Sequence, residues 1–220
     1  MITISQVVTD IIDQKPFLAE NLDEGIINYS SLARMMVSEI EERLHKKIQE
    51  GAVLMALKRY KPKGNLVGIS RITKVLNKTG DIIVRSDLVD YTIKNSETLL
   101  KKHIGLLNSL TEKKEVFYTF VQGVFESNLV VSSIISATID KKFADEKIIE
   151  IQRNLSAITI RLAKENVKIP GLYYYILKQI AWEGINLIEV ISTTNEFTLV
   201  VNDSDIDNAF KVLKNLKKNK

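Results

Sequence analysis

The segment best suited to binding a small molecule is a loop, residues 166–172, that runs into a predicted helix. The first turn of a helix leaves backbone N–H groups without intrahelical partners, and the helix dipole adds positive potential there. Such a junction suits a carboxylate. Pro170 cannot donate a backbone hydrogen bond, and Gly171 lets a ligand approach the main chain closely. The alternative is that these two residues form only a tight turn between a strand and a helix.

A second distinctive stretch is basic. Residues 51–80 contain seven lysines or arginines and no acidic residue, although the whole chain carries a formal net charge of only +4. Cations at this density can neutralise nucleic-acid phosphates. The predicted contacts with duplex DNA are Lys58, Arg59, Lys61 and Lys63. A solvated lysine-rich face is the alternative. The seven are Lys58, Arg59, Lys61, Lys63, Arg71, Lys74 and Lys78.

Residue types that commonly perform catalysis form no recognisable pattern. The chain has no cysteine, which excludes disulfides and thiolate chemistry. His45 and His103 are far apart and fall on different predicted helices. There is no glycine-rich phosphate loop and no His-Glu-x-x-His motif. The sequence therefore predicts no catalytic residue, no metal site and no cofactor.

Composition is ordinary for a globular protein, with 45% hydrophobic and 26% charged residues among 220. No apolar run approaches the roughly 20 residues that span a bilayer. The first residues lack the basic and apolar blocks of a signal peptide. These features predict a cytoplasmic protein with no membrane partner.

Residues 1–64 predict helices only. Apolar residues recur with a helical period, and Pro16, Gly25 and Gly51 mark the expected breaks. In particular, Leu32 to Ile48 predicts one long amphipathic helix that ends at Gly51. With a further connecting helix over 69–76, these elements form a predicted helical domain, residues 1–80.

A helix, a turn and a second helix followed by a basic segment follow the plan of a helix-turn-helix. The segments Tyr29-Ser-Ser-Leu-Ala-Arg34 and Ala52-Val-Leu-Met-Ala-Leu-Lys-Arg-Tyr60 resemble the helix-turn-helix of small transcription regulators. The alternative is a helical subdomain that dimerises or docks on an enzyme.

The rest of the chain predicts one order of elements twice: strand, helix, strand, strand, helix, first over 88–152 and again over 155–217. The two copies should pack as one continuous sheet with helices on one face. No strand follows the last helix, so residues 81–85 are hypothesised to supply that missing edge. The predicted strands are 81–85, 88–94, 116–125, 129–139, 155–162, 186–193 and 196–201, and the predicted helices are 95–110, 145–152, 172–183 and 203–216.

Three segments of the second copy resemble an ACT domain, and most closely the regulatory ACT pair of aspartokinases. They are Ile169-Pro-Gly-Leu172, Gly184-Ile-Asn-Leu-Ile-Glu-Val-Ile-Ser192 and Thr198-Leu-Val-Val201. The resemblance implies an α+β chain with ferredoxin-like ACT domains at 81–153 and 154–220. It also implies an amino-acid effector, held largely through the backbone. The implied contacts are Asn166, Val167, Ile169, Pro170, Gly171, Leu172 and Asn186.

The resemblance does not extend to a kinase domain, for which the chain has no room, so no phosphotransfer activity is expected. The first copy has Lys94-Asn-Ser-Glu97 in place of the Pro-Gly bend, so its loop is not expected to bind the effector in the same way. The predicted function is an amino-acid-responsive, DNA-binding regulator that forms a homodimer or larger assembly through its ACT domains. The alternative is a non-catalytic regulatory or scaffolding subunit that pairs with a separate enzyme of amino-acid metabolism.

Overall fold

The computed structural model describes residues 2–61, 69–110 and 115–217, and the chain divides into residues 1–68 and 69–220. We call these the helical unit and the sheet unit. Among the described residues, no helix combines the length and the hydrophobicity that a membrane span requires.

The described residues of the helical unit form four helices: α1 (Ile4–Asp13), α2 (Pro16–Asp23), α3 (Tyr29–Leu44) and α4 (Glu50–Arg59). Their apolar faces meet in one core that buries Ile11, Ile40 and Val53 completely. The all-helical prediction is thus confirmed for residues 2–61.

The break between α3 and α4 differs from the prediction. Helix α3 ends at Leu44, where His45 adopts a left-handed conformation (φ 51°), and Gly51 lies inside α4. The cause is Glu41, whose Oε1 accepts the N–H of Ile48 at 3.0 Å and so folds the chain back over the last turn of α3. A carboxylate that satisfies the main chain therefore ends this helix, and the predicted glycine break at Gly51 is wrong.

The sheet unit begins with α5 (Ile69–Asn77) and forms one six-stranded sheet, in which all neighbouring strands are antiparallel. The spatial order is β2-β3-β1-β4-β6-β5, which confirms the prediction of a single continuous sheet. The elements are β1 (Ile82–Lys94), α6 (Leu99–Leu110), β2 (Tyr118–Gln122), β3 (Glu126–Ser132), α7 (Ser136–Lys142), β4 (Ile148–Arg161), α8 (Leu172–Trp182), β5 (Glu189–Ser192), β6 (Glu196–Asn202) and α9 (Ile206–Leu216).

Strands β1 and β4 are longer than predicted. Residues 145–152, predicted as a helix, mostly form the first half of β4, where Ile151 faces Tyr91 across the sheet. Likewise, the two strands predicted over 81–94 are one strand with an irregularity at Asp87 (φ 55°). The helix prediction failed because this pairing joins residues about 60 positions apart, which local spacing cannot reveal.

The hairpin of the first copy is shifted from its predicted position. Residues 133–142 form a 3₁₀ turn and α7 where a strand was predicted, and the tight turn lies at 123–125. There, the N–H of Gly123 donates to the Glu126 carbonyl at 2.8 Å, and Tyr118 faces Val131. The turn predicted between the strands at 116–125 and 129–139 is wrong, because Ser127 and Asn128 lie in β3 and pair with β2.

The order βαββαβ is completed in each repeat by half of a long strand. The first half of β4 completes the first repeat, because Ile148 pairs with Ile93. The first half of β1 completes the second repeat, because Ile82 pairs with Ile160. The hypothesis that residues 81–85 supply the missing edge is confirmed. The division of the sheet unit at residues 153 and 154 stays a prediction.

One face of the sheet packs against helices, with α6 and α7 over the first repeat and α5, α8 and α9 over the second. The opposite face buries a smaller apolar cluster that includes Leu88, Leu155 and Val200. The ends of the strands that enter α6 and α8 are thereby held in equivalent positions.

Candidate ligand site

The predicted loop is fixed to the β5–β6 turn by a buried asparagine. Asn166 is 4% exposed, and its Nδ2 donates to the carbonyls of Ala163 at 2.8 Å and Thr194 at 2.7 Å. The N–H of Leu162 donates to the Asn195 carbonyl at 2.7 Å. The loop and the hairpin turn are therefore one connected structure.

The bend itself is open. Gly171 is exposed and adopts φ 83°, a conformation that disfavours any residue with a side chain. A Cβ at this position would lie 3.7 Å from Cδ1 of Ile72 in α5. The main chain at the start of α8 is thus accessible on a surface bordered by an apolar side chain.

The first turn of α8 is attached to the same hairpin. The ring of Tyr173 stacks on Phe197 with centroids 4.6 Å apart, and its hydroxyl lies 2.8 Å from Oγ of Ser192. These contacts fix the direction in which the N-terminus of α8 points.

Beside the loop lies a polar atom that sequence analysis did not single out. Oδ1 of Asn195 is buried and has no hydrogen-bond partner among the residues that the structure describes. Leaving a buried acceptor unpaired costs about 1–3 kcal/mol, so such an atom suggests that a donor reaches it in some state of the protein. The sequence indicated Asn195 only as a turn residue.

The structure brings most of the predicted contacts together. Val167 is 64% exposed, Pro170 is exposed and Ile169 is half-buried. The Leu172 side chain is buried in the core, and its N–H donates to the Ile169 carbonyl at 3.4 Å. Asn186 follows the C-terminal end of α8, an 11-residue helix that is about 16 Å long. Asn186 therefore lies at the opposite end of α8 from the other predicted contacts of the same chain.

The junction is an open surface. In the same repeat, a cavity of about 130 Å³ lies between α8 and α9 and contains none of the predicted contacts. Its lining includes Gln179, Glu183 and Lys211.

The equivalent junction of the first repeat is filled by a carboxylate. The Glu146 side chain is 3% exposed and accepts hydrogen bonds from Oγ of Ser96 (2.7 Å), Oγ1 of Thr98 (2.6 Å) and Nζ of Lys102 (2.8 Å). Lys102 also contacts Asp145. Burial opposes ionisation, but the hydrogen bonds from Lys102, Ser96 and Thr98 outweigh it and lower the pKa of Glu146 to about 2. Ser96 also caps α6, because its Oγ accepts the N–H of Leu99 at 3.1 Å.

This depressed pKa makes a prediction for acid stability. The stabilisation from Glu146 is fully present above its unfolded pKa of about 4.5 and is lost as pH falls toward 2. Glu146→Gln should therefore be less stable than wild type at pH 6, and the difference should shrink between about pH 4.5 and 2. Urea unfolding at several pH values measures the difference in the free energy of unfolding between the two proteins. A difference that is independent of pH would contradict the assignment.

The predicted DNA contacts lie at the C-terminal end of α4. Lys58, Arg59 and Lys61 are exposed, and Nε of Arg59 donates to the Met55 carbonyl at 3.1 Å. Lys63 lies outside the described residues. The seven-cation stretch spans both units, and Lys78, in the sheet unit, lies 4.0 Å from Glu165.

The N-terminal part of α4 exposes residues that are not basic. Gly51, Ala52 and Met55 are exposed there. Recognition helices commonly read base edges with polar side chains at this end, and these three residues offer none. Glu50, the first residue of α4, is an exposed polar side chain at this end, and its Oε1 lies 3.7 Å from Nε of Arg34.

Three solved aspartokinase structures are similar in fold to part of this chain. The aspartate kinase of Clostridium acetobutylicum superposes with a TM-score of 0.52 and 16% identity, over 63% of this chain and 34% of that enzyme. The regulatory subunit of aspartate kinase from Thermus thermophilus superposes with a TM-score of 0.51 and 10% identity, over 63% of this chain and 97% of that subunit. A structure of aspartokinase alpha and beta subunits superposes with a TM-score of 0.52 and 9% identity, over 64% of this chain and 99% of the matched chain.

Over 63% of its length, the chain shares the fold of the Thermus regulatory subunit. The βαββαβ order of each repeat agrees with the ACT-like architecture that the resemblance implied, and the whole is α+β. The chain spans about a third of the length of the Clostridium enzyme. No family model matches the sequence, and no curated protein matches it. Identities of 9 to 16% establish the fold, while effectors and partners require their own argument.

Proposed function

We propose that this chain is a non-catalytic regulatory protein that binds a free amino acid at the junction of the 166–172 loop with α8. The open bend at Gly171, at the start of an 11-residue helix, is the observation that carries the proposal. Asn166 fixes this bend against the hairpin turn, so the backbone donors are held in place.

A zwitterion fits the chemistry of this surface. Its carboxylate would accept backbone N–H groups at the start of α8, where the helix dipole favours negative charge. Its ammonium group would donate to Oδ1 of Asn195, which is otherwise unpaired within the described residues. The neighbouring apolar side chains, Ile72 and the exposed Val167, would contact the ligand side chain.

Calorimetric titration with each of the twenty amino acids tests the proposal. At least one should release or absorb heat at a stoichiometry of about one per chain. Asn195→Ala should weaken that binding about tenfold or more, because a hydrogen bond to a charged group contributes about 1.5–3 kcal/mol. Phe125→Ala, at the matching turn of the first repeat, is the control and should bind like wild type. Absence of heat for all twenty would refute the proposal.

The output of the regulator is proposed to be DNA binding by the helical unit. Lys58, Arg59 and Lys61 are exposed together at one end of α4, which suits contacts to phosphates. Effector binding can change the output only if the chain has two states with different affinity for the effector.

Charge reversal at the end of α4 should weaken DNA binding. Lys58→Glu/Arg59→Glu is expected to lower affinity for a duplex at least tenfold and to flatten its dependence on salt, because fewer counterions are released. Fluorescence anisotropy with a labelled duplex at several salt concentrations measures both. Lys101→Glu/Lys141→Glu, in the sheet unit, gives the same net charge and should have a much smaller effect. Equal effects of the two pairs would contradict a specific DNA surface.

A second output is favoured by a separate observation. A groove of about 360 Å³ in the helical unit is lined by apolar residues of α1 and α4, including Ile4, Met55 and Ala56, with Lys46 and Arg59 also in its lining. Such a surface suits a protein segment better than base edges. If DNA does not bind, the favoured function is a regulatory subunit that pairs with a separate enzyme through this unit.

A further inference from the structure

We infer that Ser96, Thr98 and Lys102 form a carboxylate-binding site in the first repeat, and that its permanent occupant is the chain's own Glu146. Two hydroxyl groups and an ammonium group converge on the two carboxylate oxygens at 2.6 to 2.8 Å. The bound carboxylate is almost fully buried. This is the arrangement expected for a ligand, but the ligand is covalently part of the chain.

The location of Glu146 is equivalent to a position in the second repeat that has no side chain. The N–H of Lys94 donates to the Lys147 carbonyl at 2.9 Å, and the N–H of Arg161 donates to the Asp81 carbonyl at 3.2 Å. These two bonds occupy the same place in the two repeats, at the end of the strand that leads to α6 or α8. The residue just before each of these acceptors, and before the first residue of the partner strand, is Glu146 in the first repeat and Gly80 in the second.

This difference explains why the two repeats should behave differently. In the first repeat the strand-to-helix junction is closed by an internal carboxylate, so it cannot accept a second one. In the second repeat Gly80 offers no carboxylate, and the bend at Gly171 is exposed. If the proposed function holds, one effector carboxylate binds per chain, and it binds in the second repeat.

Chemical rescue tests the internal site on the full chain. Glu146→Ala should unfold at a lower temperature than wild type, by about 4 °C or more. About 0.2 M acetate should recover part of that loss, relative to chloride at equal ionic strength, because a ligand stabilises the folded state that binds it. Wild type and Glu97→Ala, an exposed glutamate of the same loop, should show no acetate-specific gain. Glu146→Ala/Lys102→Met should lose the rescue.

Rescue of equal size in wild type and Glu146→Ala, or no rescue of a folded Glu146→Ala, would overturn the inference. If that variant does not fold, Lys102→Met provides a second measurement. Removal of the ammonium group should raise the pH midpoint of acid unfolding, whereas Lys101→Met should leave it unchanged. An unchanged midpoint in Lys102→Met would also overturn the inference. None of these results depends on amino-acid binding, so they separate this inference from the proposed function.

Discussion

Phe197→Ala is expected to lower the free energy of unfolding of the sheet unit by about 3–5 kcal/mol. The side chain is 1% exposed, lies in the core between β6 and α8, and stacks on Tyr173. Removal of the ring leaves a cavity that the surrounding strands can fill only in part. Because Tyr173 is in the first turn of α8, the candidate site should lose order as well. Urea unfolding followed through the amide NMR signals of β6 and α8 measures the effect on this unit.

Phe125→Ala is the matched control for that substitution. Phe125 occupies the hairpin turn of the first repeat and is 83% exposed. Its truncation should change the free energy of unfolding by no more than about 0.5 kcal/mol. Similar losses in the two variants would show that burial in this structure does not decide the contribution of these rings.

Gly171→Val is expected to remove effector binding with only a moderate loss of stability. A β-branched residue at φ 83° costs about 1–2 kcal/mol or more in strain, which the loop can relieve by moving away from the start of α8. The backbone donors would then no longer converge, so affinity for the bound amino acid should fall at least tenfold. Calorimetry with the amino acid that binds wild type measures the affinity.

Two further glycine variants make that test specific. Gly171→Asn should retain more binding than Gly171→Val, since asparagine tolerates the left-handed region better. Gly51→Ala lies inside α4, where a Cβ meets no atom within 4 Å, and should stabilise the helical unit by about 0.5–1 kcal/mol. Wild-type affinity in Gly171→Val would contradict the site.

The elements that were predicted correctly are those with strong local signals. Helices α1, α3 and α4 have apolar residues at helical spacing, and the β5–β6 hairpin has a polar turn between two β-branched runs. The α8 bend was found because proline restricts the backbone and glycine permits conformations that other residues avoid. Local chemistry was sufficient at these places.

The errors occurred where distant residues decide the structure. The first half of β4 contains Ile148, Ile149 and Ile151, whose spacing fits a short helix as well as a strand. Its extended form is imposed by pairing with β1. Likewise, Glu146 approaches Ser96 from 50 positions along the chain, so nothing in the local sequence indicates their contact.

One available signal was missed. Glu126-Ser-Asn-Leu-Val-Val131 and Glu196-Phe-Thr-Leu-Val-Val201 share four of six residues, at a constant separation of 70 positions. Alignment of the two segments would have placed β3 at 126–132 and its turn just before Glu126. Asn195 would then have been matched to Phe125, which identifies a polar turn residue present in only one repeat.

The completion of each repeat by half of a long strand limits how this architecture can grow. In the first repeat the last strand is the first half of β4, whose second half begins the next repeat, so a third copy appended in the same way would complete the second. That place is already taken by residues 82–85, which precede both copies. A third repeat could therefore join the sheet in this way only if it displaced residues 82–85 from their pairing with β4.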